Sequence, residues 1–473
     1  MDRARTSEVI VVGGGVVGLC SALLLARDGH RVRLLERDPA GPPPPGVDPW
    51  TQWERRGVSQ FQLLHGFLPR FRELLDAELP DVTGALEADG ALRVNRLAEL
   101  PDSVTGGRRP GDERFDAVTG RRPMVEATLA RMVDAQPGVE VCRGVAVRRL
   151  LAGDGSAGNP PRVTGVSTDD GVELRADAVV DASGRRSRLP SLLAAIGARP
   201  PAEEREDTGF VYYCRHFRGA AGSMPPTLGP PLQHYDSISI VTIPADHGTW
   251  GVGLVASGGD RAARGARDPD IWTRVIKSYP LVAHWLEGDP ITGIDVMAAI
   301  HDARRRYSFE GQPVATGVLP VGDAWACTNP ALGRGASIGL RHAIALRDTL
   351  REVPATDAAE LTRCWLETTD ELVGPLYRDN LDFTRHRARE IEAQAAGREY
   401  APSDPGWQVA KCLAVRAGAD PDLLRAASTI GAGLSRPVEV LADPIIQTKL
   451  ATVDPAPPLP GLSRAELVGV LTS

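Results

Sequence analysis

The stretch that most restricts the fold is a glycine-rich turn near the start of the chain, between a β-branched run and a helical segment. Residues 8–12 are mostly valine and isoleucine, which is typical of a buried parallel strand. The turn VVGGGVVG leads into residues 19–27, which are good helix formers, and residues 31–35 form a second strand-like run ending at Glu36. This order predicts a βαβ unit of a parallel sheet.

The spaced glycines of this turn fit the pattern G-x-G-x-x-G, and each has its own physical role. Gly13 permits the tight turn, Gly15 lets the backbone approach a pyrophosphate, and Gly18 lets the helix pack closely on the strand. Glu36 can accept hydrogen bonds from an adenosine ribose, and its charge disfavours a 2′-phosphate. The unit is therefore predicted to bind a dinucleotide, either NAD or FAD, since both carry adenosine diphosphate.

A second junction of this kind, VLPVGDAWACTNPALGRGASIGL, begins at Val318. Its apolar run ends at Asp323, where a carboxylate at a strand edge can accept a hydrogen bond from a ribityl hydroxyl. A loop with Pro330 and Gly333 then precedes a helix near Gly335, whose positive end suits the anionic edge of a reduced flavin. Because a nicotinamide dinucleotide has no ribityl chain, the two junctions together favour FAD.

The bulk composition excludes several classes of protein. With 473 residues, the chain is long enough for two or three structural units. The net charge of −7 and the pI near 5.8 argue against a nucleic-acid partner, which would require a basic surface. The six cysteines form no C-x-x-C pair and show no metal-ligand spacing with histidine, so we expect reduced thiols, no metal and a cytoplasmic protein.

The N-terminal segment also permits a signal peptide or a membrane span. The basic sequence MDRAR precedes residues 9–26, which carry no charge. The glycines within that run and the strand-like run after it favour the βαβ unit instead. No other stretch approaches membrane-spanning length, so we expect neither a targeting segment nor a membrane span.

Between the two junctions the pattern becomes strand-like. Residues 139–184 predict short strands with a hairpin at 169–171, and the last strand ends in the small-residue turn VVDASG. From about residue 209, runs such as GFVYYCRHFRG and TWGVGLVA predict an antiparallel sheet, and the pattern is helical from residue 356. Four aromatic side chains of that sheet either contact a substrate or fill its core: Tyr212, His216, Tyr235 and Trp250.

The expected fold is α/β, with a Rossmann-like FAD-binding domain of the glutathione-reductase type. We assign this domain to residues 1–199 and 310–352, an inserted antiparallel β-sheet substrate domain to residues 200–309, and a helical C-terminal region to residues 353–473. The FAD-binding domain is discontinuous because the strand-rich segment separates two junctions that are expected to form one site.

Three motifs in this order make the chain resemble the FAD-dependent hydroxylase/epoxidase superfamily, the single-component, aromatic-hydroxylase-like flavoprotein monooxygenases. They are VVGGGVVG with Glu36, VVDASGRRSR in the place of that family's DG motif, and VLPVGDAWACTNPALGRG as its GD motif. WERRGVSQ and RRPMVEATL are similar to segments whose arginines contact FAD in relatives. The resemblance covers residues 8 to about 350.

The resemblance implies FAD contacts along both junctions and from arginines between them. The candidate cofactor-binding residues are Gly13, Gly15, Val16, Val17, Gly18, Glu36, Arg37, Arg55 or Arg56, Arg122, Asp323, Pro330, Gly333, Gly335, Ala336 and Ser337. Two positions depart from the family pattern. Ser183 stands where the middle motif has aspartate, and Ser337 stands where asparagine usually follows the glycine turn of the GD motif. The W-x-W-x-I-P motif of flavin halogenases is absent, which argues against halogenation.

By this resemblance, NADPH, NADH or a separate flavin reductase reduces FAD, and O₂ adds to the flavin to give a hydroperoxide. One oxygen atom then passes to a small-molecule organic substrate by hydroxylation or epoxidation, in secondary metabolism. No histidine, aspartate and serine constellation marks a catalytic residue. A flavin oxidase, dehydrogenase or reductase of the same fold is the alternative, and a non-catalytic FAD-fold binding protein is the third.

Overall fold

The structure is a computed structural model that describes residues 6–153 and 160–473. The MDRAR segment lies outside the described residues. The strands are β1 (Glu8–Val12), β2 (Arg31–Glu36), β3 (Leu92–Val94), β4 (Ala117–Thr119), β5 (Val139–Arg143), β6 (Val147–Ala152), β7 (Val163–Thr168), β8 (Glu173–Arg175), β9 (Ala178–Asp181), β10 (Ala202–Glu206), β11 (Phe210–Arg218), β12 (Leu232–His234), β13 (Ile238–Pro244), β14 (Thr249–Ser257), β15 (Asp289–Pro290), β16 (Asp295–Met297), β17 (Asp302–Arg306), β18 (Ser308–Phe309), β19 (Gln312–Pro313), β20 (Val318–Pro320) and β21 (Ala326–Cys327). The α-helices are α1 (Val16–Arg27), α2 (Pro49–Gln52), α3 (Pro69–Glu78), α4 (Pro80–Ala88), α5 (Asp102–Thr105), α6 (Arg122–Ala135), α7 (Leu189–Ala195), α8 (Pro269–Lys277), α9 (Gly335–Glu352), α10 (Ala358–Thr368), α11 (Gly374–Ala395), α12 (Pro405–Arg416), α13 (Pro421–Gly431), α14 (Pro437–Leu441), α15 (Pro444–Thr452) and α16 (Arg464–Thr472).

A parallel sheet in the order β20-β9-β1-β2-β5 underlies one half of the fold. Strand β1 is its central strand, with Val9 opposite Val32 of β2 and Val12 opposite Asp181 of β9. Helix α1 packs against α6 and α9 and covers apolar residues of this sheet. Since parallel strands end at the same edge, the turns after β1, β2, β9 and β20 meet there. The sheet therefore brings the two glycine-rich junctions together.

An antiparallel sheet in the order β12-β13-β14-β11-β15, with β16 also paired to β11, forms the second layer. One of its faces packs on α8 and α16 around a core that includes Trp250, Trp272 and Leu467. The α/β class, with this sheet and a helical C-terminal region, is confirmed. Helix α16 returns to the sheet's core, so the last helix packs away from α12 to α15.

Two three-stranded antiparallel units accompany the main sheets. Strands β6, β7 and β8 form a meander, and the predicted hairpin at 169–171 joins β7 to β8. Strands β10, β17 and β21 form a second unit that joins the segment before the antiparallel sheet to the GD junction.

The uncharged run at 9–26 is divided between strand β1, the glycine turn and most of helix α1. Within the described parts of the chain, no helix is both long enough and apolar enough to traverse a bilayer.

Candidate functional site

The first glycine turn is crowded on one side and open on the other. Gly13 has a φ of +105°, and a Cβ there would lie 2.7 Å from the carbonyl oxygen of Ala182. A Cβ at Gly18 would lie 1.9 Å from the carbonyl oxygen of Gly13, so this helix–turn contact requires glycine. A Cβ at Gly15 would meet nothing closer than 4.0 Å, and the first turn of α1 has no acidic residue. The N-terminus of α1 is therefore open to an anionic group.

Glu36 ends β2 beside this turn and is buried. Its Oε2 accepts hydrogen bonds from Gly14 N and from Arg55 Nη2, each at 2.7 Å, and its Oε1 accepts from Asp38 N at 2.9 Å. These bonds hold the carboxylate at the wall of a large cavity. Its remaining lone pairs are available to a ribose hydroxyl.

The adjacent arginines Arg55 and Arg56 have opposite environments. Besides Glu36, Arg55 binds Glu126 Oε2 through Nη1 at 3.0 Å and Asp38 Oδ2 through Nε at 3.3 Å. Arg56 pairs with Glu54, has 84% of its side chain exposed and does not line the cavity. The structure therefore places only Arg55 on the cavity side, where its guanidinium is shared by three acids.

The turn at the GD junction is held from behind by a neutral histidine. Gly322 N donates to His342 Nδ1 at 3.1 Å, so His342 Nε2 donates to Thr369 Oγ1 at 3.0 Å. Burial lowers the pKa of His342 to about 3, which keeps the ring uncharged. This support fixes the backbone on which Asp323 stands.

The Asp323 side chain lines the cavity. Burial raises its pKa, while the charges of Arg122 and Arg185 and a hydrogen bond from Cys327 oppose the rise. A carboxylate so placed is an acceptor for a ligand hydroxyl. The site thus has one acid at each of its two junctions.

Most of the other predicted cofactor residues lie along the same cavity wall: Gly13, Gly15, Val16, Val17, Arg37, Arg122, Pro330, Gly333, Gly335 and Ala336. Gly18 lies behind the wall, as its packing role requires. Ser337 is placed differently from the expectation, because its Oγ is buried, finds no hydrogen-bond partner within residues 6–153 and 160–473, and does not line the cavity.

A buried polar network supports the loop between Asp323 and α9 from the side of the antiparallel sheet. Asn329 N donates to Asp302 Oδ1 at 2.8 Å, and Thr384 Oγ1 donates to Asp302 Oδ2 at 3.4 Å. The Asn329 side-chain oxygen accepts a hydrogen bond from the Tyr212 hydroxyl. Burial raises the pKa of Asp302 to about 6.

Replacing Asp302 by asparagine is expected to stabilise the protein at neutral and higher pH. The folded-state pKa of about 6 exceeds the ordinary value of 3.8, so the folded chain favours the neutral acid. The neutral Asp302 side chain therefore contributes stability that is complete below pH 3.8 and is lost as the pH rises through 6. Asp302→Asn should therefore gain about 1–3 kcal/mol at pH 8, and the gain should vanish towards pH 4. Thermal unfolding at both pH values measures it, and a variant less stable than wild type at pH 8 contradicts it.

His65 is a cavity residue that the sequence analysis did not single out. Its Nε2 accepts from Arg122 Nη1 at 3.3 Å, and its Nδ1 donates to the carbonyl oxygen of Leu63 at 2.8 Å. Burial and the charge of Arg122 lower its pKa to about 3. Arg122 Nε also binds Glu126 Oε1 at 2.6 Å, so the arginine is fixed between the two junctions.

In the middle motif, an acid lies two residues before Ser183, the position where the family pattern has aspartate. Asp181 ends β9 and is buried, and its Oδ1 accepts from Ser183 N at 3.0 Å. The hydroxyls of Ser183 and Ser187 both donate to the same carboxylate. Ser183 therefore caps the strand-end acid.

The cavity that joins these groups has a volume of about 2210 Å³, more than twice the usual range of about 300–1,000 Å³ for a single-ligand pocket. It runs from the first glycine turn past Asp323 to one face of the antiparallel sheet. Along that face its wall is largely apolar, and Ile243, Val255 and Met297 are examples. The volume has room for a dinucleotide and a second large molecule.

Of the four aromatic candidates for substrate contact, the structure brings only Tyr212 to the cavity. Trp250 is 1% exposed and lies in the sheet's opposite core, where Nε1 donates to the carbonyl oxygen of Trp285 at 2.8 Å. Tyr235 packs on Tyr279 in that core, with ring centroids 4.4 Å apart. His216 shares the face of Tyr212 but is covered by Trp50, with centroids 4.9 Å apart. Trp250, Tyr235 and His216 therefore do not line the cavity, and the prediction of substrate contact remains for Tyr212.

The helical C-terminal region contributes much of the cavity wall, which the sequence analysis did not anticipate. Trp407 and Leu413 of α12 and Val438 and Leu441 of α14 line it. Ordinary apolar helix positions carry no chemical signal, so nothing in the pattern separated them from core residues. Arg185 lines the cavity and donates to Ser59 Oγ at 2.6 Å. The arginine-rich turn SGRRSR could have indicated it as a site residue.

The residues of this site fit FAD. The open side of Gly15 and the N-terminus of α1 suit a pyrophosphate, and Glu36 suits the adenosine ribose. Asp323 suits a ribityl chain, and the start of α9 beside Gly335 and Ala336 suits the flavin ring.

Comparisons with known proteins agree with this fit. The family described as "FAD dependent oxidoreductase" matches residues 8–43. "Protein Rv3254" of Mycobacterium tuberculosis is 28% identical over 386 residues, covering 76% of this chain and 77% of that protein. A D-amino acid dehydrogenase of Methylobacterium sp. is 29% identical over 288 residues, covering 41% of this chain and 64% of the relative.

Solved structures share the fold over most of this chain. The structure of pqsL from Pseudomonas aeruginosa, described as "a probable FAD-dependent monooxygenase", aligns with a TM-score of 0.59 at 18% identity, covering 83% of this chain and 99% of that one. OxyS anhydrotetracycline hydroxylase from Streptomyces rimosus aligns with a TM-score of 0.56 at 17% identity, covering 91% of this chain and 76% of that one. These likenesses confirm the fold that the three motifs imply, because the chain shares it with a probable FAD-dependent monooxygenase and with an anhydrotetracycline hydroxylase.

Proposed function

We propose that the protein is an FAD-dependent monooxygenase that transfers one oxygen atom from O₂ to a small-molecule organic substrate. The reaction is a hydroxylation or an epoxidation in secondary metabolism, with NADPH or NADH as the electron donor, either directly or through a flavin reductase. The observation that carries the proposal is that one continuous cavity holds both a dinucleotide half-site and a largely apolar sheet face. A substrate on that face would lie beside the loop that holds the flavin ring.

The protein's own part in this reaction is to bind, to orient and to exclude water. The α1 turn, Glu36 and Asp323 would hold FAD along its length, and the loop from Pro330 to Ala336 would seat its ring. FAD, when bound, supplies the redox chemistry and the activation of O₂. The apolar wall keeps water from the reacting atoms, which suits oxygen transfer better than hydrolysis.

No acid–base residue is assigned to the chemical step. His65 lies on the wall, but its lowered pKa leaves it neutral and its ring nitrogens are engaged by Arg122 and Leu63. Epoxidation requires no protein acid or base, whereas hydroxylation of a phenol favours a group that assists its deprotonation.

The experiment that tests the proposal uses purified protein and isotopically labelled O₂. We expect flavin absorption in the visible range, oxidation of NADPH or NADH, and labelled oxygen in the product from candidate substrates. A colourless protein that does not take up added FAD would overturn the cofactor assignment. NAD(P)H oxidation without label in any product would overturn oxygen transfer while leaving FAD binding intact.

An oxidase, dehydrogenase or reductase is the second candidate, favoured by the similarity to a D-amino acid dehydrogenase. An oxidase or dehydrogenase would reduce FAD with the substrate itself and would consume no NAD(P)H, whereas a reductase would consume NAD(P)H and add hydrogen to its substrate without incorporating oxygen. Flavin bleaching by substrate under anaerobic conditions, without pyridine nucleotide, would support an oxidase or dehydrogenase over the monooxygenase. A non-catalytic binder would show bound flavin but neither reaction.

Replacing Asp323 by alanine is expected to weaken FAD retention by about tenfold or more, since a charged hydrogen-bond acceptor at the ribityl chain would be lost. The flavin-to-protein absorbance ratio after dialysis, followed by titration with FAD, is the measurement. Asp454, which is exposed, provides the control, and Asp454→Ala should retain FAD as wild type does. Equal retention by Asp323→Ala would count against the assigned role.

A further inference from the structure

Arg96 follows β3 and lines the cavity, and its side chain contacts Thr242 of β13 and Trp285, which lie on the sheet face that packs on α8. Its Nη2 donates to Thr242 Oγ1 at 3.1 Å, and Nη1 lies 3.5 Å from the carbonyl oxygen of the same residue. The guanidinium lies over the Trp285 ring, 5.0 Å from the ring centroid. Its Nε is buried and has no hydrogen-bond partner in the described parts of the chain.

Arg96 also lacks a carboxylate partner. Arg55 and Arg122, on the cofactor side of the same cavity, form ion pairs with buried acids. Within residues 6–153 and 160–473, no acid forms an ion pair with Arg96, and burial lowers its pKa to about 10, so it stays charged at neutral pH. The Arg96 side chain is half-buried and its hydrogen bonds go only to neutral acceptors, so its charge is available to an anionic ligand in the cavity.

The surroundings of Arg96 are apolar. Leu97, Leu100, Leu228 and Leu281 line the same cavity. A ligand that reaches the guanidinium must therefore pass its remaining surface along hydrocarbon side chains. This combination suits an amphipathic molecule with a polar end and a large apolar body.

We propose that Arg96 binds the carboxylate of a large, mainly apolar acid, which is the substrate class of this protein. The inference rests on the proposed function, because it takes the cavity beyond the cofactor as the place where substrate binds. The guanidinium offers a planar fork that matches a carboxylate, with Thr242 and Trp285 holding it in place. The nearby charge of Glu99 favours a singly charged group over a phosphate dianion.

The test compares ligands that differ only in the end group, on FAD-loaded protein by isothermal titration calorimetry. The probes are dodecanoate, dodecan-1-ol and dodecyl phosphate, each below its aggregation concentration. We expect dodecanoate to bind at least about tenfold more tightly than dodecan-1-ol, as for a hydrogen bond to a charged group. Equal binding of acid and alcohol, or binding of neither, would overturn the proposal, and tighter binding of dodecyl phosphate would overturn the carboxylate assignment.

Two variants locate the preference. Arg96→Met should abolish the difference between acid and alcohol while dodecan-1-ol binding stays within about twofold, because the apolar wall is unchanged. Arg56→Met, whose side chain is exposed outside the cavity, should keep the wild-type preference. A retained preference for the acid in Arg96→Met would refute the assignment. If that variant does not fold, Arg96→Lys and the comparison of the three probes on wild-type protein provide the test. Failure of labelled-oxygen transfer leaves this binding result intact, and loss of the preference leaves FAD content unchanged.

Discussion

Replacing Arg55 by methionine is expected to lower the stability of the protein by about 3–5 kcal/mol, because buried acids then lose their shared cation. Glu36, Asp38 and Glu126 expose only 11%, 9% and 0% of their side chains. Methionine retains an apolar stem but supplies no charge. Thermal unfolding with and without saturating FAD measures the loss, and FAD retention should fall with it since Glu36 lines the cofactor cavity.

The neighbouring residue provides the matched control for this variant. Arg56 has the same side chain one position later, but it is exposed and pairs with Glu54. Arg56→Met should unfold at the wild-type temperature and keep its flavin. Wild-type stability of Arg55→Met would contradict the buried network, and equal losses in both variants would point to the loop rather than to the ion pairs.

Replacing Gly18 by alanine is expected to cost about 3 kcal/mol or more, since an added methyl group cannot be accommodated without moving backbone. Its Cβ would lie 1.9 Å from the carbonyl oxygen of Gly13 and 3.3 Å from Ala182 Cβ. Separating α1 from the turn would displace the backbone that faces the pyrophosphate. The expected outcome is a lower unfolding temperature together with loss of bound flavin.

Gly84, inside helix α4, is the comparison for that substitution. A Cβ there meets nothing within 4 Å, so Gly84→Ala should leave stability unchanged or raise it by up to about 1 kcal/mol. FAD content should stay at the wild-type level. Normal flavin retention by a folded Gly18→Ala would show that the close helix–turn contact is dispensable.

The cofactor half of the fold was predictable because its constraints are local. The G-x-G-x-x-G spacing, the β-branched run before it and Glu36 after it specify one βαβ unit, and the structure has it as β1, α1 and β2. The GD junction was recognisable for the same reason, since a strand, an acid and a glycine turn occur within a short stretch. Parallel pairing then brings the two junctions to one edge of the sheet.

The residues of the antiparallel sheet that reach the cavity were harder to predict from the sequence. Alternation along β11 shows that Tyr212 and Tyr213 point to opposite faces, but not which face carries the cavity. His216 has the same parity as Tyr212 and still lacks access, because Trp50, distant in sequence, covers it. Arg55 and Arg56 could not be separated, since the choice depends on acids contributed by β2, the loop after it and α6.

The position of β20 at the edge of the parallel sheet has a consequence for how the chain matures on the ribosome. The edge of β9 and the side of α1 that packs on α9 stay uncovered until residues 318–352 have been made. At about 5–20 residues per second, the interval between the end of β9 and the end of α9 lasts roughly 9–34 s. During that time the nascent protein carries an open strand edge and bare apolar surface, which are sites of misassociation. Flavin can be enclosed only after these residues have been made, so a lower growth temperature or added chaperones should raise the yield of flavin-containing protein.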